Sequence, residues 1–134
     1  MKADLHNHSY YSDGVLSPSE VVKLASEAKC DLFSLTDHDT TDGIAEAQLE
    51  ADKLNLNLIN GVEISAFWRN MAIHILGLGI DINNDILQTG LEHNLKLRKE
   101  RAEKIALGLW RSGIKDALEK TQSFSKTDML TRTH

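Results

Sequence analysis

Two histidines separated by one residue, His6 and His8, stand near the start of the chain, and Asp13 follows in a turn that ends at Gly14. In an extended backbone alternate side chains share a face, so the two imidazoles point the same way. Imidazole and carboxylate together are ligands for divalent metal ions. The same residue types return at Asp37-His38-Asp39, at Glu63 and at His74, each beside or inside a short apolar run. A set of nitrogen and oxygen donors without a thiolate suits Mn, Fe or Zn. A structural zinc site would draw on cysteines and would be closed.

Three or more histidines with two carboxylates exceed what one tetrahedral ion uses, so the pattern points to two or three ions, with Glu63 bridging a pair. Ions about 3.5–4 Å apart clamp the attacking and leaving oxygens of a phosphoester displacement. Phosphoester hydrolysis is therefore the chemistry expected. Each residue also has an ordinary reading. A lone His-x-His is a weak signal, and His74 between Ile73 and Ile75 reads equally as a core histidine. Asp13 serves the Gly14 turn, Asp39 and Asp42 read as helix caps, and Tyr10 and Tyr11 as packing residues. His93 lies on a charged helical face and is read as solvated. What favours the metal reading is that His6, His8, His38 and His74 fall at strand ends or inside strands, with Asp13, Asp37, Asp39 and Glu63 each next to a strand terminus.

The elements that must carry them follow from periodicity. Lys2 to His6 reads as a strand. Ser17-Pro18-Ser19-Glu20 is a helix start with a capping box and a proline at the first helical position, and Val21, Leu24, Ala25 and Ala28 give its apolar face. Asp31 to Thr36 is a second strand with Phe33 and Leu35 on one side. A helix then runs to Leu54 on the stripe Ile44, Ala47, Ala51 and Leu54. Leu56 to Asn60 forms a third strand, Val62 to Ser65 continues it, Phe67 to Asn70 is a turn, and Met71 to Ile80 is a fourth strand. Strands alternating with amphipathic helices predict a parallel α/β arrangement, whose strand ends face one ligand-binding crevice. From Asn84 to Ser112 the pattern is one long charged helix on the stripe Leu87, Leu91, Leu95, Ala102, Ile105 and Leu109, stopped by Gly113. A helix over Lys115 to Thr121 follows, and Thr127-Asp128 opens another.

At 134 residues, 41% hydrophobic and 26% charged, the chain has the make-up of one globular domain. A net charge of −5 argues against a broad DNA-binding surface. The single cysteine, Cys30, fits a reducing compartment, and no apolar run approaches the ~20 residues of a membrane span, so a cytoplasmic location is expected.

The motifs Asp4-Leu5-His6-Asn7-His8-Ser9, Ser12-Asp13-Gly14, Thr36-Asp37-His38-Asp39, Gly61-Val62-Glu63-Ile64-Ser65 and Ile73-His74-Ile75-Leu76-Gly77, in this order, resemble the PHP (polymerase and histidinol phosphatase) family. At motif level the resemblance covers residues 1 to 82, with residues 83 to 134 as a helical insertion segment. It is most similar to the stand-alone branch of nucleoside 3′,5′-bisphosphate phosphatases and 5′-to-3′ exoribonucleases. The resemblance implies the N-terminal portion of a distorted (β/α)7 TIM-like barrel holding two or three Mn, Fe or Zn ions. His6 and His8 would hold one ion, Glu63 would bridge it to a second that His74 also holds, and Asp13 and His38 would hold a third. Asp37 or Asp39 would orient His38, and a metal-bound hydroxide would attack phosphorus in a nucleotide or short oligoribonucleotide. The family completes its site with a further histidine and an Asp-x-His pair, which the chain does not supply. Arg132 and His134 resemble the opening of an inserted helix and are candidate substrate contacts. The competing expectations are a non-catalytic remnant of the family, a histidinol-phosphatase type and a polymerase-associated PHP domain.

Overall fold

The computed structural model of the chain describes residues 1–127 and 129–131. The described chain runs β1 (Ala3–Asp4), α1 (Pro18–Glu27), β2 (Leu32–Phe33), α2 (Ile44–Leu54), β3 (Asn57–Leu58), β4 (Gly61–Trp68), β5 (Met71–Leu78), α3 (Asp85–Arg111) and α4 (Ala117–Gln122). β1, β2 and β3 form a parallel sheet in that order, with α1 and α2 packed on each other as its crossover helices. The apolar core lies between that sheet and those helices: Val22, Ala25, Phe33, Leu35, Ala47, Ala51 and Leu56. Phe33 and Leu35 share one face, as alternation requires, and both are fully buried there.

The other face of the same segment is buried and polar. Ser34, Thr36 and His38 lie on it, and Asp37 and Asp39 are buried as well. Beyond Phe33 the chain stays extended, with the Thr36 N–H donating to the Asn7 carbonyl and the Glu63 N–H to the Asp37 carbonyl. Residues 57 to 63 thus run beside residues 32 to 39 as one broken strand, first as β3 and then as β4. Gly61 occupies the break. A Cβ there would lie 2.2 Å from Ser34 Oγ and 2.8 Å from Thr36 Cγ2, so the approach needs glycine.

The Ser17 hydroxyl accepts from the Glu20 N–H and the Glu20 carboxylate accepts from the Ser17 N–H, the capping box expected from sequence. Several details differ from the sequence reading. β4 and β5 form an antiparallel hairpin through a tight turn at Arg69 and Asn70, both left-handed, so β4 extends to Trp68 and the second half is not parallel. The face of α1 is Pro18, Val22 and Ala25; Leu24 and Ala28 point outward. In α2 Leu54 is exposed and Glu50 is buried, its carboxylate held by Lys53 and Lys23. The N-cap of α2 is Gly43, without a side-chain cap, so neither Asp39 nor Asp42 caps it. In α3 only Leu91 and Arg98 are buried, and Ile105 of the expected stripe is half exposed. Of the helix expected from Thr127-Asp128, Asp128 and residues 132–134 lie outside the described residues, and Met129 to Thr131 are not helical. No helix among the described residues is long and apolar enough to cross a membrane.

Phe33 joins the parallel sheet to both crossover helices, so its removal leaves a cavity that the rigid layers cannot close. Phe33→Ala is expected to cost about 3–5 kcal/mol, read from the shift of a urea unfolding midpoint.

Candidate metal centre

The loop after β1, the extension of β2 and the hairpin bring six ligand-type side chains to one point. Glu63, buried on β4, is at the centre. Its Oε2 lies 2.8 Å from His6 Nε2, 3.1 Å from His8 Nε2 and 3.5 Å from His38 Nδ1, and its Oε1 lies 2.7 Å from His74 Nδ1. Asp13 stands on the far side, 3.6 Å from His8 Nδ1 and 3.6 Å from His38 Nε2. Neighbouring rings are in contact, with His8 stacked on His38 at 4.7 Å and His74 edge-on to His38 at 4.8 Å. Three overlapping triads result: His6, His8 and Glu63; His8, Asp13 and His38; His38, Glu63 and His74. Within each, one ligand atom per residue lies within 4.8 Å of the others.

Each position has a local cause. Ser65 faces His74 across the hairpin, and Glu63 is two residues from Ser65, so Glu63 and His74 are diagonal neighbours on one face. His38 pairs with Glu63 in a parallel bridge, through the Asp39 N–H to the Glu63 carbonyl and the Glu63 N–H to the Asp37 carbonyl. Asp13 is turned back by a tight loop in which the Gly14 and Ser12 N–H groups donate to the Ser9 carbonyl. A Cβ at Gly14 would lie 2.3 Å from the His8 carbonyl oxygen, which is why the turn closes on glycine.

The aspartates flanking His38 hold neighbouring loop, strand and helix groups rather than the imidazole. Asp37 accepts from the Ser9 N–H, the Ser9 hydroxyl and the Ser12 hydroxyl, fastening the His8 loop. Asp39, left-handed at φ 53 and fully buried, accepts from the Ser65 N–H, from Asn94 and from Arg98. The expectation that one of them orients the His38 ring is replaced by this arrangement, since among the described residues neither bonds to it. Asn94 and Arg98, from α3, escaped the sequence reading. Their signal was positional: they fall three and seven residues after Leu91, in register with the apolar stripe, where a buried polar residue needs a partner. Arg132 and His134 lie outside the described residues, and His93 is exposed.

Burial pushes the Glu63 carboxyl up, but the hydrogen bond from His6, the charge of His38 and the bond from His74 outweigh it and hold it below its ordinary value. Burial would likewise raise Asp39, and the Ser65, Arg98 and Asn94 bonds overcome that and hold it low. For His38 burial dominates and lowers the value, against the attraction of Glu63. The lowered value favours the neutral imidazole, the form that offers a lone pair to a metal. Its Nδ1 is buried without a hydrogen-bond partner among the described residues, Glu63 Oε2 lying 3.5 Å away. An unpartnered buried ring nitrogen beside an ionised carboxylate fits a metal ligand set. The floor of the site is closed while the rings of His6 and His74 are about half exposed, leaving one open side.

A family model described as the PHP domain matches residues 4–122. The chain belongs to the PHP domain family. The sequence of this PHP domain is 43% identical over 133 residues to the 5′-3′ exoribonuclease Rnm of Escherichia coli (strain K12), spanning 98% of the chain and 45% of that protein. It is 39% identical over 132 residues to a 3′,5′-nucleoside bisphosphate phosphatase of Chromobacterium violaceum, spanning 98% of the chain and 46% of that protein. The chain thus spans about half the length of these curated relatives. A structure of an amidohydrolase from Chromobacterium violaceum, with bound sulfate and no metal, superposes with a TM-score of 0.94 at 38% identity, over 100% of this chain and 48% of that one. A structure from Bifidobacterium adolescentis at 24% identity has the same fold, with a TM-score of 0.83. The parallel sheet, its two crossover helices and the hairpin are accordingly a portion of the α/β barrel of PHP phosphoesterases.

A pH dependence follows for the metal-free chain. His38, Glu63 and Asp39 each bind a proton less readily folded than unfolded, so the stability each contributes is present above its unfolded value and lost as pH falls through its lowered folded value. The loss begins below 6.5 for His38 and continues below 4.5 for Glu63 and 3.8 for Asp39. Urea midpoints in EDTA are expected to fall steadily from about pH 7 to about pH 4. A flat profile would show that these groups are not held as described.

Proposed function

We propose that this chain carries the metal-binding part of a metal-dependent phosphoesterase acting on nucleotide phosphates or short RNA ends. The observation that carries the reading is the buried Glu63 carboxylate, ringed by His6, His8, His38 and His74 with Asp13 beyond them. The ligand-type residues fall into three overlapping triads, which suits a cluster of two or three ions. Divalent ions of the Mn, Fe or Zn class, when bound, supply Lewis acidity toward a phosphoryl oxygen and lower the pKa of water. Glu63 supplies the shared negative charge, His6 and His8 complete one triad, His74 another, and His8 with Asp13 and His38 the third. The open side between His6 and His74 admits the phosphate. At a net charge of −5, attraction of an anionic substrate rests on the cations held at this point.

The names of the relatives, an exoribonuclease and a nucleoside bisphosphate phosphatase, support nucleotide and RNA-end phosphates as the substrate class. Residues 1–82 supply the metal motifs in this reading, and residues 83–134 form a helical insertion that borders the site.

The direct test combines metal analysis after dialysis with phosphate release. The protein carrying this chain is expected to retain two or more ions and to release phosphate from adenosine 3′,5′-bisphosphate or from a 5′-phosphorylated oligoribonucleotide with Mn²⁺. His8→Ala or Glu63→Ala should lower turnover by ~100-fold or more, about 2.7 kcal/mol of barrier. Retained ions without release from either substrate would favour the non-catalytic reading, and no retained ions would overturn the metal reading itself. Binding should also appear as stability. Mn²⁺ at about 100 times its dissociation constant is expected to raise unfolding free energy by ~2.7 kcal/mol, and EDTA to reverse it. Glu63→Ala should lose most of that gain.

A further inference from the structure

Helix α3 reaches the metal end of the sheet through polar contacts. Gln88 donates to Thr41 Oγ1 and to the Ile82 carbonyl; Asn94 donates at 2.8 Å to Asp39 Oδ1 and at 2.8 Å to the Ser65 carbonyl. Arg98 donates from Nε at 2.6 Å to Asp39 Oδ2 and from a terminal nitrogen at 2.7 Å to Ser65 Oγ. Arg98 and Leu91 are the buried residues of the helix. Asp39 is the neighbour of His38 and is held in a left-handed conformation that a non-glycine residue adopts only under constraint. Ser65 is two residues from Glu63 on the same face of β4. A closed circuit of bonds therefore joins α3, the turn that carries His38 and the strand that carries Glu63.

Resting on the metal reading above, we propose that Arg98 and Asn94 are positioning residues of the metal centre. They fasten α3 to Asp39 and Ser65 and so fix His38 against Glu63, each of which belongs to two of the three triads. The forked guanidinium suits this task because one planar group meets the Asp39 carboxylate and the Ser65 hydroxyl at once. Groups that orient ligands from behind typically change metal affinity by about 10- to 100-fold when removed.

The test uses the full chain and Co²⁺ alone, whose visible absorption reports both affinity and coordination. Arg98→Ala and Asn94→Ala are expected to weaken Co²⁺ binding about 10- to 100-fold and to alter the absorption envelope. Arg98→Lys, which keeps the charge and loses the fork, should recover part of the affinity. Leu91→Ala is the control, since it loosens the apolar anchor of the same helix; it should lower Tm while keeping the wild-type Co²⁺ spectrum and affinity. Circular dichroism identifies a variant that does not fold, and if Arg98→Ala is one, Arg98→Lys and Asn94→Ala decide. Wild-type affinity and spectrum in the folded Arg98 and Asn94 variants would overturn the proposal. So would an equal loss of affinity in Leu91→Ala, which would reduce the effect to helix stability. A wild-type chain that takes up no Co²⁺ would instead defeat the metal reading, and this proposal with it.

Discussion

A buried carboxylate has to be compensated or it protonates, and the structure around Glu63 is arranged to keep it ionised. Four imidazole nitrogens lie within 3.5 Å of its two oxygens, and they come from the β1 loop, the β2 extension and β5. No one segment could supply them. The requirement is met only if the parallel sheet and the hairpin meet at Glu63, which the bridge between His38 and Glu63 brings about. Enclosure lowers the His38 imidazole, whereas the Glu63 carboxyl is lowered against it. Enclosure alone would neutralise both groups, and the imidazoles keep the charge on the glutamate.

The same requirement explains the segment from Leu32 to Asp39. One face, Phe33 and Leu35, is buried against the helices; the other, Ser34, Thr36 and His38, is buried against the site. Such a strand shows the apolar and polar alternation of a half-exposed one although both its faces are dry, because only one of them is apolar. On this buried side Thr36 and Asp37 bond to the β1 loop, while the Ser34 hydroxyl is left without a partner among the described residues. Asp37 takes three donors from Ser9 and Ser12, and Thr36 meets Asn7. Gly61 allows the broken neighbouring strand to come close enough to complete the set.

Much of this was legible in the residues. The capping box at Ser17 and Glu20 is a local interaction, so local sequence predicts it. The alternation of Phe33 and Leu35 and the long charged helix are likewise local patterns. The meeting of the six ligand-type residues followed from their positions at strand ends. What escaped depends on distant partners. The antiparallel turn at Arg69 and Asn70 lacks the glycine that usually marks it. The rotation of α1 onto Val22 instead of Leu24 is set by what α2 presents to it, since both spacings are helical. Asp39 read as a helix cap because its real partners lie 26 to 59 residues away, at Ser65, Asn94 and Arg98.

Those partners bear on how the helical segment relates to the rest. The change in sequence character after residue 82 suggests an appendage, yet the family match runs on to residue 122, through α3 and α4. The relatives align over 98% of the chain, helices included. Energetically the buried pair of Arg98 and Asp39 points the same way. Hydrated alone, either charge would be content; buried, each depends on the other, and removing one partner of such a pair typically costs about 3–5 kcal/mol. Detaching α3 would leave the Asp39 carboxylate unpaired one residue from His38. The helix and the turn that carries His38 are therefore coupled through a charge that neither can bury by itself.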